Sequence, residues 1–210
     1  MKKWFGYGGI AASVVLIAFG VAAIMMGVNG RSEVRDLLAA ENIVGGDDMS
    51  PALIQKGIEE AGLTGVTIPD KDIVGASIDT GAEAKAFAGY MRIHALESTD
   101  GLTYAEMGRF ATPDGNPAGT SDPDQALKDE NGEPISNGAR NLWVTETALT
   151  TALNTSFMAE QLALFGIVVG VALLLSGIGF LILTVSGALG VAVIPRRQAK
   201  SKFDTASAAT

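Results

Sequence analysis

A single histidine, His94, is the residue of this 210-residue chain best suited to acid–base or metal chemistry. It lies in a predicted helix, residues 81–96. There it points along the apolar stripe of the helix, three residues after Met91. A buried or interfacial histidine with one hydrogen-bond partner is the ordinary interpretation, and a catalytic base or metal ligand is the alternative. Histidine metal sites generally need two or three such ligands, and the chain has no cysteine. We therefore predict no catalytic residue, metal or cofactor.

Acidic residues cluster in a second stretch that could hold a cation. Residues 129–132, with the sequence DENG, resemble a fragment of a calcium-binding loop, but the bidentate acid that closes such a loop is missing at the required distance. A solvated acidic loop is therefore the favoured interpretation, and Ca²⁺ binding is the alternative. The acids concerned are Asp122, Asp124, Asp129, Glu130 and Glu133.

The charges of the chain are divided into blocks, and this division indicates where its elements lie. Residues 4–30 and 161–195 carry no charge, whereas residues 31–160 carry 22 acidic and 9 basic residues, a net charge of 9 − 22 = −13. About 20 apolar residues suffice for a helix to cross a bilayer. We predict membrane spans at residues 5–29 and 161–194, with an extracytoplasmic domain at 30–160 between them. A cleaved signal peptide is the alternative for the first span, but its apolar run exceeds the usual length.

Basic residues at both ends of the chain predict its orientation. Lys2 and Lys3 precede the first span, while Arg196 and Arg197 follow the second, and such residues are retained in the cytoplasm. We expect a multi-pass protein of the bacterial plasma membrane with a cytoplasmic N-terminus at residues 1–4. The tail, residues 195–210, is expected to be cytoplasmic and disordered.

Small residues spaced four apart suggest how the two spans pack. Such spacing lets helix backbones approach closely. The pairs lie near the outer end of each predicted span, and they are Ala23 with Gly27 and Gly166 with Gly170.

The predicted fold class is a mainly α membrane protein, whose two transmembrane helices extend into a small, mostly helical domain with little or no β structure. Ser50 and Pro51 open one helix, and Thr103 with Glu106 forms a capping box before another. Residues 65–68 and 72–74 are β-branched runs that could be short strands. Residues 111–137 are rich in proline and polar residues and predict an exposed loop or short hairpin.

Residues 93–106, with the sequence IHALESTDGLTYAE, resemble the "HALEATGGKTYAE" segment of a group of actinobacterial two-pass membrane proteins. Residues 154–158, NTSFM, resemble that group's approach to its last helix. Members are often labelled aromatic ring-opening dioxygenases, which hold iron by histidines and a carboxylate. Since His94 is the only histidine here, the resemblance implies a membrane protein of unassigned function.

The leading functional hypothesis is a non-enzymatic accessory or scaffold protein, such as a small subunit of a larger membrane complex of the respiratory kind. Its expected partners are the lipid bilayer and other integral membrane proteins or further copies of itself, and nucleic acid is not expected because the domain is acidic. The alternative is an extracytoplasmic ligand-sensing or envelope-binding module. That alternative predicts a pocket near Tyr90, His94 and Tyr104.

Overall fold

Four α-helices account for most of the residues that the structure describes, and together they make the protein mainly helical. The structure, a computed structural model, describes residues 2–186 and the side chains from residue 7 onward. Residues 187–194 of the predicted second span, the tail at 195–210, and the side chains of Lys2, Lys3 and Trp4 lie outside this description. In chain order the helices are α1 (Lys2–Ala40), α2 (Pro51–Glu60), α3 (Gly81–Ser98) and α4 (Gly138–Val185), with a single 3₁₀ turn at Tyr104–Glu106.

Two of these helices are long and apolar enough to cross a membrane. They run over Tyr7–Ala40 and Gly138–Val185, and the most apolar 18-residue stretch of each has a mean hydropathy of 2.4 and 2.6, respectively. The chain divides into two compact units. The first, called here the helix pair, contains the described residues 2–27 and 165–186, and the second, called the helical domain, is Val28–Leu164.

The helix pair is antiparallel and its backbones nearly touch. A Cβ atom on Gly20 would lie 2.8 Å from the Gly170 carbonyl oxygen, and one on Gly177 would lie 3.0 Å from the Ser13 carbonyl oxygen. The buried positions of the pair recur every seven residues, and a repeat of 3.5 residues per turn keeps two helices in continuous contact. They are Ser13, Gly20 and Gly27 on α1, and Gly170, Gly177 and Thr184 on α4.

The four small residues singled out in the sequence lie along this contact. Gly166 faces the Ala23 carbonyl oxygen and the Gly27 Cα atom, at 3.8 and 4.0 Å from the position of its missing Cβ. Gly170 faces Gly20 and Ile24. The dominant spacing is seven residues rather than four, because the helices run along one another instead of crossing at one point.

The helical domain has its core around α3, which is buried on more than one side. The predicted apolar stripe of α3 is therefore incomplete, since Ala86, Tyr90 and Ile93 on other faces are also buried. Ile54 and Ile58 of α2 and Leu153 of α4 join this core. A smaller cluster forms around Trp143, which is 2 % exposed.

The runs at 65–68 and 72–74 are loop rather than the short strands predicted for them. Their β-branched residues fill the core, as Ile73 and Val66 do, while backbone hydrogen bonds join loop to loop instead of forming a ladder. Gly45 N–H donates to the Ala76 carbonyl, and Gly75 N–H donates to the Gly45 carbonyl. Only glycine fits at position 45, because any Cβ there would collide with the Ile73 carbonyl oxygen.

Helix α1 continues beyond the first predicted span to Ala40 and ends there, where Asn42 adopts a left-handed conformation with φ of 53°. Two other elements differ from expectation. The capping box of Thr103 and Glu106 is present but opens only the 3₁₀ turn. Helix α3 extends to Ser98, two residues beyond its predicted end. In residues 107–137, isolated antiparallel bridges join Phe110 to Thr120 and to Ser136.

Candidate functional site

A groove of about 850 Å³ runs along α3 in the helical domain. Its walls are the loop at residues 64–70 on one side and Thr150 and Asn154 of α4 on the other. Pockets that hold small molecules usually measure about 300–1,000 Å³. This space, called here the α3 groove, is therefore large enough for a small organic ligand.

Small residues on α3 leave room for the groove and hold its wall in place. Ala82, Ala86 and Gly89 lie along the helix surface that lines it. Pro69 of the loop packs directly on Gly89, since a Cβ atom at that position would lie 2.7 Å from the Pro69 Cγ atom. The loop can approach the helix this closely only because residue 89 has no side chain.

Polar contacts fix the end of the same loop to α3. The Tyr90 hydroxyl donates to the Lys71 carbonyl at 2.9 Å, and Lys71 Nζ lies 2.8 Å from Glu83 Oε1. Glu83 also completes a capping box with Thr80 at the start of α3. Burial raises the pKa of Glu83, but hydrogen bonds from Lys71, Thr80 and the Asp79 N–H outweigh it and lower the value from 4.5 to about 2.

Two cations line the α3 groove on one face of the helix. Lys85 and Arg92 are seven residues apart, which is two helical turns. Lys85 Nζ lies 4.8 Å from the centre of the Phe157 ring, and Arg92 Cζ lies 5.0 Å from that of Trp143. Cation–π contacts at these distances hold the two side chains against α4.

The groove is electropositive within an acidic domain. Lys85 and Arg92 outweigh Asp70, so its charged lining nets +1, whereas residues 31–160 net −13. Its lining also includes apolar groups such as Ile93 and Leu96. Such a site suits an anion with an apolar part, bound by charge at one end and by contact with the helix along its length.

A second polar cluster joins α1, α3 and α4. The Nε atoms of Arg31 and Arg35 lie 2.8 and 2.9 Å from Glu160 Oε1, and the Gly81 N–H donates to Glu160 Oε2 at 2.7 Å. Burial raises the pKa of Glu160, which lies outside the predicted spans. The hydrogen bonds from Arg31, Gly81 and Arg35 outweigh this effect and lower the pKa below its ordinary value. The carboxylate is therefore charged at neutral pH and ties the three helices together.

The predicted pocket residues have different neighbours. Tyr90 is fully buried beneath the loop it binds. His94, one turn further along α3, is partly exposed, and its Nε2 lies 2.9 Å from Asp48 Oδ2 without the alignment of a hydrogen bond. Tyr104 stacks on Arg140, with 3.8 Å between Cζ and the ring centre. None of the three lines the α3 groove.

Two carboxylates of the acidic stretch at residues 122–133, those of Asp122 and Asp129, accept hydrogen bonds within local turns. Asp122 Oδ1 accepts the Asp124 N–H, and Asp129 Oδ1 accepts the N–H groups of Asn131 and Glu133. Within residues 2–186, no three histidine, aspartate or glutamate side chains converge in a way that could hold a metal ion.

The cations of the groove and the Glu160 cluster were missed from the sequence, although both left a signal there. Lys85 and Arg92 have the seven-residue spacing that puts side chains on one helix face. Arg31 is the first charge after one uncharged segment, and Glu160 is the last before the other. Opposite charges at these two boundaries indicate an ion pair if the two helices that carry them lie side by side.

Comparisons with family models, with curated proteins and with solved structures found no match to this chain. A function is therefore inferred from the residues and contacts described above.

The lowered pKa of Glu83 predicts a specific acid sensitivity. Because the folded-state pKa is about 2 against 4.5 for the free group, its stabilising effect is complete above pH 4.5 and is lost as the pH falls from 4.5 towards 2. Glu83→Gln should lower the free energy of unfolding by about 1–2 kcal/mol at neutral pH. The difference from wild type should shrink over that acid range in chemical unfolding curves.

Glu130→Gln removes a carboxylate from the exposed loop and serves as the control. It should leave both the stability and its pH dependence unchanged. A constant difference between Glu83→Gln and wild type from pH 6 down to pH 2 would contradict the assignment.

Proposed function

We propose that this protein is a two-pass integral membrane protein of the bacterial plasma membrane, with both ends in the cytoplasm and residues 30–160 outside. In this proposal it acts without catalysis, as an accessory or scaffold subunit of a larger membrane complex such as a respiratory assembly. The observation that carries it is the helix pair, which buries small residues between its helices and turns large apolar residues outward.

The outward face of the helix pair supports insertion into lipid. Phe19 is 66 % exposed and Met26 is 76 % exposed, while Ser13 and Gly20 are buried. A water-soluble protein rarely exposes so large an apolar surface. The two buried hydroxyl groups of the pair bond back to their own helices: Ser13 donates to the Gly9 carbonyl and Thr184 donates to the Phe180 carbonyl. These two side chains therefore bring no unpaired hydroxyl into the hydrocarbon.

The absence of charged side chains from the two long apolar segments of the sequence favours a supporting role over a catalytic one. Residues 4–30 and 161–195 contain no aspartate, glutamate, lysine, arginine or histidine, whereas proton relays and ion pathways need such groups inside the membrane. In the domain, the one histidine approaches Asp48 at the surface.

We also propose that the chain belongs with the two-pass group that its residues 93–106 resemble, and that this motif has a structural role. Thr99, buried at the end of α3, accepts the Trp143 indole N–H at 3.3 Å.

Labelling from outside the cell tests orientation and partnership together, because the chain contains no cysteine. Ser121→Cys, in the exposed loop, should react with a membrane-impermeant biotin maleimide in intact cells. The same substitution at Ser201 should react only after the cells are opened. Protein captured through the biotin in mild detergent should bring other integral membrane proteins with it in fixed ratio, as identified by mass spectrometry.

The two parts of this result have separate meanings. Equal labelling at both positions in intact cells would contradict the proposed topology. Correct labelling followed by recovery of the chain alone, as a monomer, would contradict the accessory role but leave the topology in place.

A second candidate function is ligand sensing by the domain, and the positive charge of the α3 groove specifically favours it. Lys85 and Arg92 would meet an anionic group, and the surface around Ile93 would contact the apolar part of the ligand. This site replaces the pocket expected near Tyr90, His94 and Tyr104 as the place to search.

Filling the groove tests this second candidate. Benzoate and phenyl phosphate should raise the thermal unfolding midpoint of the detergent-purified protein, since a ligand at about 100 times its Kd stabilises by about 2.7 kcal/mol. Asn154→Trp, on the groove wall, should abolish the rise. Thr151→Trp, exposed on the same helix but outside the groove, should retain it. An unchanged midpoint for wild type, or an equal rise in both variants, would remove this candidate.

A further inference from the structure

The Glu160 cluster borders a second cavity, of about 290 Å³, called here the arginine cavity. Arg31, Arg35 and Lys71 all line it, together with Glu83, Glu160 and Leu164. Three of the nine basic residues between positions 31 and 160 therefore meet in one small space. With two carboxylates among them, the charged lining nets +1.

The two guanidinium groups retain donors that can face the cavity. Both arginines use Nε to bind the same Glu160 oxygen, and in the described part of the chain their terminal Nη groups make no hydrogen bond to protein. Both arginine side chains are 42 % exposed, whereas Glu160 is 8 % exposed. Glu160 thus orients the two guanidinium groups through their Nε atoms and leaves their Nη–H groups available to a ligand. Paired guanidinium groups bind phosphate oxygens through two parallel hydrogen bonds each.

The position of the cavity along the chain indicates what kind of phosphate it meets. Arg31 directly follows the uncharged residues 4–30, and Glu160 directly precedes residues 161–195. If the chain spans the membrane as proposed, on which this inference rests, these residues lie at the depth of the outer headgroups. Leu164, one turn further along α4 and within the predicted span, adds an apolar side to the lining. That combination matches a headgroup above and an acyl chain below.

We propose that the arginine cavity binds the phosphodiester group of an anionic phospholipid in the outer leaflet. The two arginines and Lys71 contact the phosphate oxygens, and Leu164 contacts the start of an acyl chain. The remainder of the domain is strongly acidic and would be repelled by an anionic membrane surface. The cavity offers a local point of attraction at the place where the helices enter the bilayer.

Gln161→Glu is the sharpest variant, because Gln161 lines the cavity without taking part in the Glu160 contacts. It preserves the shape of the side chain and adds a negative charge beside the phosphate position. Gln125→Glu makes the same change on the exposed loop and controls for net charge. The full-length proteins are reconstituted into nanodiscs of phosphatidylglycerol and phosphatidylcholine in equal parts, and the lipids retained after release are counted by native mass spectrometry.

Wild type and Gln125→Glu should retain phosphatidylglycerol in preference to phosphatidylcholine, and Gln161→Glu should reduce that preference about fivefold, as expected for one charge near a membrane surface. Equal preference in Gln161→Glu and wild type would overturn the proposal. So would release of phosphatidylglycerol by inorganic phosphate at low millimolar concentration, which would mark a site for free phosphate. Failure to enter nanodiscs would instead contradict the proposed function, whereas entry without lipid preference contradicts this inference alone.

Discussion

The close approach of α1 and α4 is the constraint on which the helix pair, the part of the chain proposed to span the membrane, depends. Two apolar helices in lipid gain nothing from leaving water, so their association depends on packing and on contacts between backbones. Glycine at positions 20, 170 and 177 allows those contacts, because a single Cβ at any of them would overlap the opposite backbone. The seven-residue spacing repeats the contact along the pair and frees the larger apolar residues to face outward.

In the helical domain, Glu160 holds helices together, as the glycine contacts do in the helix pair. Its carboxylate receives two arginine side chains from α1 and the first backbone N–H of α3, so one buried charge is bonded from three directions. Removing one member of such a cluster leaves the others desolvated without a partner, which is costly. The same contacts orient Arg31 and Arg35 towards the arginine cavity. Stability and the proposed lipid site therefore share the same residues.

The elements with strong periodicity could be predicted from the sequence. The mainly helical fold, α2 with its cap at Ser50, and the capping box at Thr103 follow from local rules that tertiary contacts did not override. The prediction of short strands at 65–68 and 72–74 was wrong, because β-branched residues in a loop can fill a core as well as those in a strand do. The α3 groove was beyond prediction because it depends on Pro69 meeting Gly89, a contact between residues twenty positions apart that no local pattern encodes.

A contact between small residues holds α1 and α4 together, and one pair of substitutions tests this most directly. Gly170→Ala would place a Cβ 2.8 Å from the Gly20 carbonyl oxygen, whereas no described atom lies within 4 Å of a Cβ at Gly179. Both changes favour helix formation equally. Unfolding in detergent should therefore show Gly170→Ala destabilised by about 1–3 kcal/mol, with Gly179→Ala at or above the stability of wild type. Equal stability of the two variants would contradict the account.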